Sequence, residues 1–296
     1  MDLTRRDILK LAVAGSAAGL AACAAPDLKS GPVADPTSMP VVFISHGSPM
    51  VALIKDDYSA ALKKMGEEFP LPKAIVVISA HWTAEAPIRV TGSGKPETIY
   101  DFGGFPDELY KLTYASPGHP ALAREIAKTL TDAGMPAVLE DRGLDHGAWV
   151  PLRLSYPGAE IPVIEVTLRS DLDPSSFVRL GRLLAPLRER GVLIVGSGGV
   201  VHNFQLMRRL PKGEKPDGWA VEFDTWVRER VEKFDLESLV NYQTAHPAGV
   251  NAAPTTEHFD PIFVVMGAAK PGERVVDVYE GFRGANLSMR TFALRS

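Results

Sequence analysis

Four of the chain's seven histidines follow apolar runs or sit in turns crowded with polar residues. They are His46 in Phe43-Ile44-Ser45-His46-Gly47-Ser48-Pro49, His81 in Ile78-Ser79-Ala80-His81-Trp82, His202 in Val200-Val201-His202-Asn203 and His258 in Thr255-Thr256-Glu257-His258-Phe259. Imidazole is the commonest metal ligand, so histidines delivered to one sheet edge from separate segments point to a metal site. Cys23 is the single cysteine, which leaves the rest of the chain without a disulfide or a thiolate site. Any metal there must be held by nitrogen and oxygen.

The elements that would position these residues read as follows. Residues 40–45, 74–79, 161–166 and 191–196 are short β-branched apolar runs, continuous rather than alternating, as expected of strands buried on both faces. Helix-length segments lie between and after them at 58–69, 120–133, 175–190 and 219–239, with a further helical run at 261–269. The expected fold class is α/β, a single domain over 39–296 with a mainly parallel central sheet and helices on both faces. In open sheets of this kind ligands bind beyond the carboxyl ends of the strands, which is where His46, His81 and His202 fall. His258 enters from the turn-rich stretch 245–254. Residues 92–104, with several glycines and a proline, read as a mobile loop over the entrance. Segment 120–133 is amphipathic and reads as a surface helix, with His119 at its start.

Composition narrows the function classes. The formal charge of −4, with no basic tract, argues against nucleic acid as a partner. Residues 1–23 read as a twin-arginine export signal: Arg5 and Arg6 precede an uncharged run too short to span a bilayer. Leu20-Ala21-Ala22-Cys23 resembles a lipoprotein cleavage box that would leave Cys23 lipidated; alternatively, cleavage falls among the alanines and leaves no anchor. Residues 24–38 read as a tether. The expected location is periplasmic, free or membrane-anchored. Nothing in the sequence sets an oligomeric state.

Six motifs in register resemble one family. His46-Gly47-Ser48-Pro49, Ser79-Ala80-His81-Trp82, Tyr100-Asp101-Phe102-Gly103-Gly104-Phe105-Pro106, Leu144-Asp145-His146-Gly147-Ala148-Trp149, Gly196-Ser197-Gly198-Gly199-Val200-Val201-His202-Asn203 and Glu257-His258-Phe259 are similar, in order and spacing, to the class III extradiol ring-cleavage dioxygenases of the DOPA 4,5-dioxygenase type. The resemblance implies a metal-dependent enzyme that opens a catechol-type ring with O2 to a semialdehyde acid. It implies His46 and His81 as metal ligands, with the third either His258 or Glu257. His202 is implied as acid and base beside the metal, or as a fourth ligand.

By the same resemblance His146 contacts substrate or oxygen, with Asp145 as its orienting neighbour. Trp149 and Phe102, with Trp82, Phe105 and Tyr110, are expected as apolar walls for an aromatic ring. His246 is a further candidate substrate contact. Fe(II) is the expected working metal, and an all-nitrogen face would also suit Zn(II). The alternatives are a zinc-dependent hydrolase built on the same histidines and a non-catalytic periplasmic protein that binds metal or aromatic compounds.

Overall fold

A computed structural model describes residues 38–211 and 213–296. The expected export signal at 1–23, Cys23 and nearly all of the expected tether lie outside the described residues. Among the described residues are ten strands: β1 (Val41–Ser45), β2 (Ala74–Ala84), β3 (Ile88–Thr91), β4 (Ala137–Glu140), β5 (Val163–Arg169), β6 (Val192–Gly198), β7 (Arg274–Tyr279), β8 (Phe282–Arg283), β9 (Leu287–Ser288) and β10 (Thr291–Arg295). The helices are α1 (Asp57–Glu68), α2 (Pro120–Asp132), α3 (His146–Ser155), α4 (Pro174–Leu184), α5 (Gly218–Glu232), α6 (Leu236–Val240), α7 (Tyr242–Ala245), α8 (Gly249–Ala252) and α9 (Pro261–Ala268). Eight strands form one sheet in the order β4-β3-β5-β2-β6-β1-β10-β7, and β8 and β9 form a separate hairpin.

The four apolar runs become the centre of this sheet: β5, β2, β6 and β1 pair in parallel. Side chains alternate across it, which explains why the runs are apolar throughout. Val41 and Phe43 of β1, with Val76 and Ile78 of β2, pack under α2, α4, α5 and α9. Val42 and Ile44, with Ile75 and Val77, pack under α1 and α3. The chain is therefore an α/β domain with helices on both faces of a mostly parallel sheet, as its sequence predicts. The antiparallel flank, β10 against β1 and β7 against β10, has no counterpart in the sequence reading.

Three elements differ from expectation for local reasons. The segment 219–239 is two helices: Phe234 takes φ +52°, and Asp235 then caps α6 by accepting from the Ser238 N–H at 3.1 Å. The segment 175–190 is α-helical only to Leu184 and continues as a 3-10 turn from Ala185, because Pro186 has no N–H to continue the α ladder. β2 runs beyond Ser79 to Ala84 with a register shift between Ile78 and Thr83, so His81 lies within an irregular stretch of strand rather than after it.

A buried ion pair ties the far side of the sheet together. The Arg188 guanidinium donates to the carbonyls of Met39 and Ala268, both at 2.6 Å, and to both carboxylate oxygens of Glu273. Neither side chain of the pair is more than 1% exposed. Removing one partner of such a pair strands the other in a dry interior. Arg188→Met is therefore expected to lower the unfolding free energy by about 3–5 kcal/mol in urea titration. An unchanged midpoint would mean that the pair does not join these segments.

Candidate metal centre

The parallel strands end where the histidines gather. His46 follows β1 directly, and its backbone N–H donates to Gly198, the last residue of β6, at 3.2 Å. Gly198 also lets the His258 loop reach the sheet: a Cβ there would stand 2.1 Å from the His258 carbonyl. The next residue, Gly199, donates its N–H to that same carbonyl at 2.7 Å. Only a residue without a side chain allows so close an approach. His146 opens α3, whose first turn is capped by Asp145.

His46, His81 and His258 each offer a ring nitrogen within 4.8 Å of the others, and the Nε2 atoms of His46 and His81 are 3.0 Å apart. Burial, then the neighbouring histidines, holds His46 well below its ordinary pKa and His81 at about 3. Both are neutral imidazoles at pH 7, the form in which histidine binds a metal. The Ser197 hydroxyl donates to the Gly147 carbonyl at 2.5 Å and so accepts from His46 Nδ1 at 2.9 Å, which turns the bare Nε2 inward. His258 Nδ1 meets the Glu257 carboxylate at 3.1 Å, while its buried Nε2 has no hydrogen-bond partner.

Of the two candidates for the third ligand position, His258 is the one in the nitrogen cluster. Glu257 stands behind it as a positioning group. Its bond to His258 overcomes the cost of partial burial and lowers its pKa to about 2. His202 is not among the three clustered nitrogens; its ring stacks on His258 with centroids 3.6 Å apart and planes at 6°. Burial, then His258 and His81, pushes its pKa down to about 3, rather than leaving it near neutrality.

His146 is oriented by Asp101, not by Asp145. The Asp101 carboxylate accepts from the His146 backbone N–H at 2.9 Å and meets its Nδ1 at 2.8 Å, and it also lies 3.6 Å from His81 Nδ1. Burial alone would raise the Asp101 pKa, but the bonds to His146 outweigh it and the carboxyl stays below its usual range. Asp145 is occupied elsewhere, accepting from the Ser79 hydroxyl at 2.7 Å and from the Ala148 N–H at 3.2 Å. Sequence reasoning gave Asp101 no role, although it lies inside one of the six motifs.

A cavity of about 620 Å³ opens onto this cluster, lined by His81, Asp101, Phe102, Phe105, His146 and His202 among others. Phe102 and Phe105 form its aromatic wall. Trp149 does not line it: fully buried, it donates its indole N–H to the Ile99 carbonyl at 2.9 Å and backs Phe102 at 6.4 Å between centroids. Trp82 and Tyr110 do not line it either, and an Arg142 guanidinium covers the Trp82 ring. His246 packs on Phe223 and Trp226, and His119 caps α2 through a bond from the Leu122 N–H. The 92–104 segment is fastened rather than loose: Ile99 N–H donates to Leu144 carbonyl and Leu144 N–H to Glu97 carbonyl, at 2.8 and 2.7 Å.

The family model described as the catalytic LigB subunit of aromatic ring-opening dioxygenase matches residues 40–287. The chain belongs to this family. It is 40% identical over 262 residues to the 4,5-DOPA dioxygenase extradiol of Beta vulgaris, covering 86% of this chain and 96% of that one. It is 38% identical to the 4,5-DOPA dioxygenase extradiol of Escherichia coli (strain K12), covering 86% and 93%. The crystal structure of an uncharacterized protein from Escherichia coli K12 superposes with a TM-score of 0.73 at 34% identity, covering 86% of this chain and 99% of that one. The protein is an extradiol ring-cleavage dioxygenase of the metal-dependent LigB type.

The residues present fit a metal. Three imidazoles converge from three segments, and the Nε2 of His258 is a buried polar atom with no hydrogen-bond partner. Two of them are oriented from behind, by Ser197 and Glu257, as metal-bound histidines usually are. Glu257→Gln is expected to weaken metal binding about 10- to 100-fold by equilibrium dialysis, with the fold intact by circular dichroism. If Glu257→Gln binds as well as the parent while His258→Ala does not, Glu257 plays no part in positioning.

Proposed function

We propose that this dioxygenase opens the ring of a catechol-type, DOPA-like substrate beside its hydroxyls, giving a semialdehyde acid with both atoms of O2 in the product. His46, His81 and His258 would hold the working metal, Fe(II). The observation that carries this reading is the convergence of three imidazoles, one of them lining an aromatic-walled cavity and two buried behind it. Iron(II) there would supply open positions that bring a catechol's oxygens and O2 together and a path for electrons between them. The same nitrogens would also accept Zn(II), without that metal supporting the redox step.

The chain's own residues provide the rest. His202, neutral through burial and stacked on His258, is a base ready to take the proton that a catechol hydroxyl sheds on binding. The catecholate anion formed beside it would raise its proton affinity, so that His202 could hold the proton and return it to an oxygen as the ring opens. His146, tied at Nδ1 to Asp101, keeps Nε2 for a hydrogen bond within the cavity. Phe102 and Phe105 offer flat surfaces for the ring and keep water from that side.

The test is purification without air, loading with iron(II) and addition of catechols under O2. The expected result is oxygen uptake with a yellow product heavier than the substrate by one O2. Turnover with zinc alone and no oxygen uptake would overturn the reading in favour of a hydrolase. His202→Ala is expected to retain its metal and lose turnover about 100- to 10,000-fold, whereas His46→Ala loses the metal itself. Metal loss in His202→Ala would make His202 a ligand.

We further infer periplasmic export through residues 1–23, supported by Arg5 and Arg6 ahead of the uncharged run. Cell fractionation should find the parent in the periplasm and a doubly substituted Arg5→Lys, Arg6→Lys chain in the cytoplasm. Equal distribution of the two would refute it.

A further inference from the structure

His81 sits where the sheet loses its regularity. β2 pairs with β5 at Ile78 and Val166 and again at Thr83 and Leu168, so β2 carries extra residues between two points that β5 joins almost directly. Its pairing with β6 ends at Ser79. Ala80, His81 and Trp82 therefore bulge from the sheet without a ladder partner on β5 or β6, and such bulges re-aim side chains beside active sites. Something other than the ladder must fix the backbone that carries the His81 ring.

A buried polar cluster is placed to do so. The Ser79 hydroxyl accepts from the His81 N–H at 3.1 Å and donates to Asp145 Oδ1 at 2.7 Å. That oxygen also accepts from the Ala148 N–H at 3.2 Å, and the Asp145 N–H donates to Glu165 Oε2 at 3.3 Å. Both carboxyl groups are fully buried, and the Arg142 guanidinium lies 3.5 Å from each. The same guanidinium covers the ring of Trp82, the residue after His81, at 4.5 Å. The bulge is thus tied at Ser79 and at Trp82 to one cluster. Gly147 lets α3 come this close: a Cβ there would stand 2.4 Å from Ser79 Oγ and 3.2 Å from the His81 ring. Glu165 lies opposite Val77 on a central strand, where an apolar side chain would avoid the cost of a buried carboxyl. Packing alone does not account for it.

We propose that Asp145 is a positioning residue for His81: Glu165 and Arg142 hold it, its carboxylate holds Ser79, and Ser79 fixes the peptide from which the His81 ring reaches the metal. This role rests on the reading of His81 as a metal ligand given above and is independent of the substrate. A bulge free to shift by more than about half an ångström would carry the ring nitrogen out of the range that a metal–nitrogen bond tolerates. The same Asp145 oxygen caps the helix that His146 opens, so one carboxylate serves the metal floor and the cavity wall together.

Cobalt(II) titration of the metal-free, full-length protein, read by visible absorption bands and by equilibrium dialysis, tests this. Ser79→Ala and Asp145→Ser are each expected to weaken binding about 10- to 100-fold and to shift the bands. Serine caps a helix as aspartate does, but its oxygen sits one bond nearer its own backbone and so farther from Ser79. The thermal midpoint of the metal-free Asp145→Ser protein should therefore stay near the parent's. Asp145→Asn, whose side-chain carbonyl accepts both bonds, should restore the parent's affinity. A chain carrying Ser79→Ala and Asp145→Ser together should bind no more weakly than the weaker single variant, because both changes break one bond. Parental affinity in Ser79→Ala, losses that multiply in the double variant, or a lowered midpoint without change in affinity or bands overturns the positioning role. His81→Ala separates this role from the reading beneath it. If His81→Ala binds cobalt(II) as the parent does, His81 is not a ligand and that reading fails; if it loses cobalt(II) while Ser79→Ala does not, only the positioning role fails.

Discussion

Three imidazoles converge within a few ångströms, burial holding His46 and His81 uncharged, and the geometry of the rest follows from that. A protonated His46 or His81 would face its neighbouring rings across a few ångströms in a largely desolvated site. Burial therefore selects the neutral form of His46 and His81 and leaves their Nε2 atoms facing one another at 3.0 Å. Such a cluster is costly unless something electrophilic satisfies those nitrogens. The fold accepts that cost at the one place where three chain segments can deliver side chains together, the carboxyl edge of its parallel strands.

Neutrality alone does not aim a ring; the groups behind the rings do. Ser197 for His46, Asp101 for His81 and His146, and Glu257 for His258 each occupy the nitrogen that faces away from the cluster. Behind β2 lies a further layer, where Ser79 joins Asp145, and Asp145 and Glu165 share the guanidinium of Arg142 at 3.5 Å. Burial and the adjacent Asp145 push Glu165 well above its usual range. Glu165 is thus harder to ionise than an exposed carboxyl, with the Arg142 guanidinium opposing that effect. These layers place the rings by hydrogen bonds to side chains that are themselves fixed by strand ends and helix caps.

How far the sequence revealed this depends on the range of each interaction. The central strands were legible because burial on both faces writes an unbroken apolar run, and His46, His81, His202 and His258 were legible because they follow such runs or lie within a motif. Asp101 was not, because it meets His146 across 45 positions and its loop carries no periodic signal. Asp145 looked like the partner of His146 because it is adjacent in sequence, yet a residue just before a helix turns its carboxylate toward that helix's N–H groups. Trp149 shares a motif with the site, but it lies three residues beyond His146, within α3, among the buried side chains that pack under the sheet. The flanking strands β7 and β10 are partly exposed or short, so their composition does not separate them from loop.

The cavity joins two kinds of structure. Its floor and aromatic wall come from the sheet edge and from a segment pinned to α3, whereas its far rim comes from the excursion after β6 and a hairpin near the C-terminus. Chemistry that tolerates little displacement needs the first kind of support, since ligand nitrogens must hold their positions to within about half an ångström. Selection among ring substituents needs only correct charge and shape several ångströms away, and loops can supply that without disturbing the floor. The bonds between the excursion and the hairpin give this rim enough rigidity to discriminate while keeping it separate from the strand ends. A change in the rim can therefore alter which substrate is held without altering how the metal is held, and a change in the floor does the reverse.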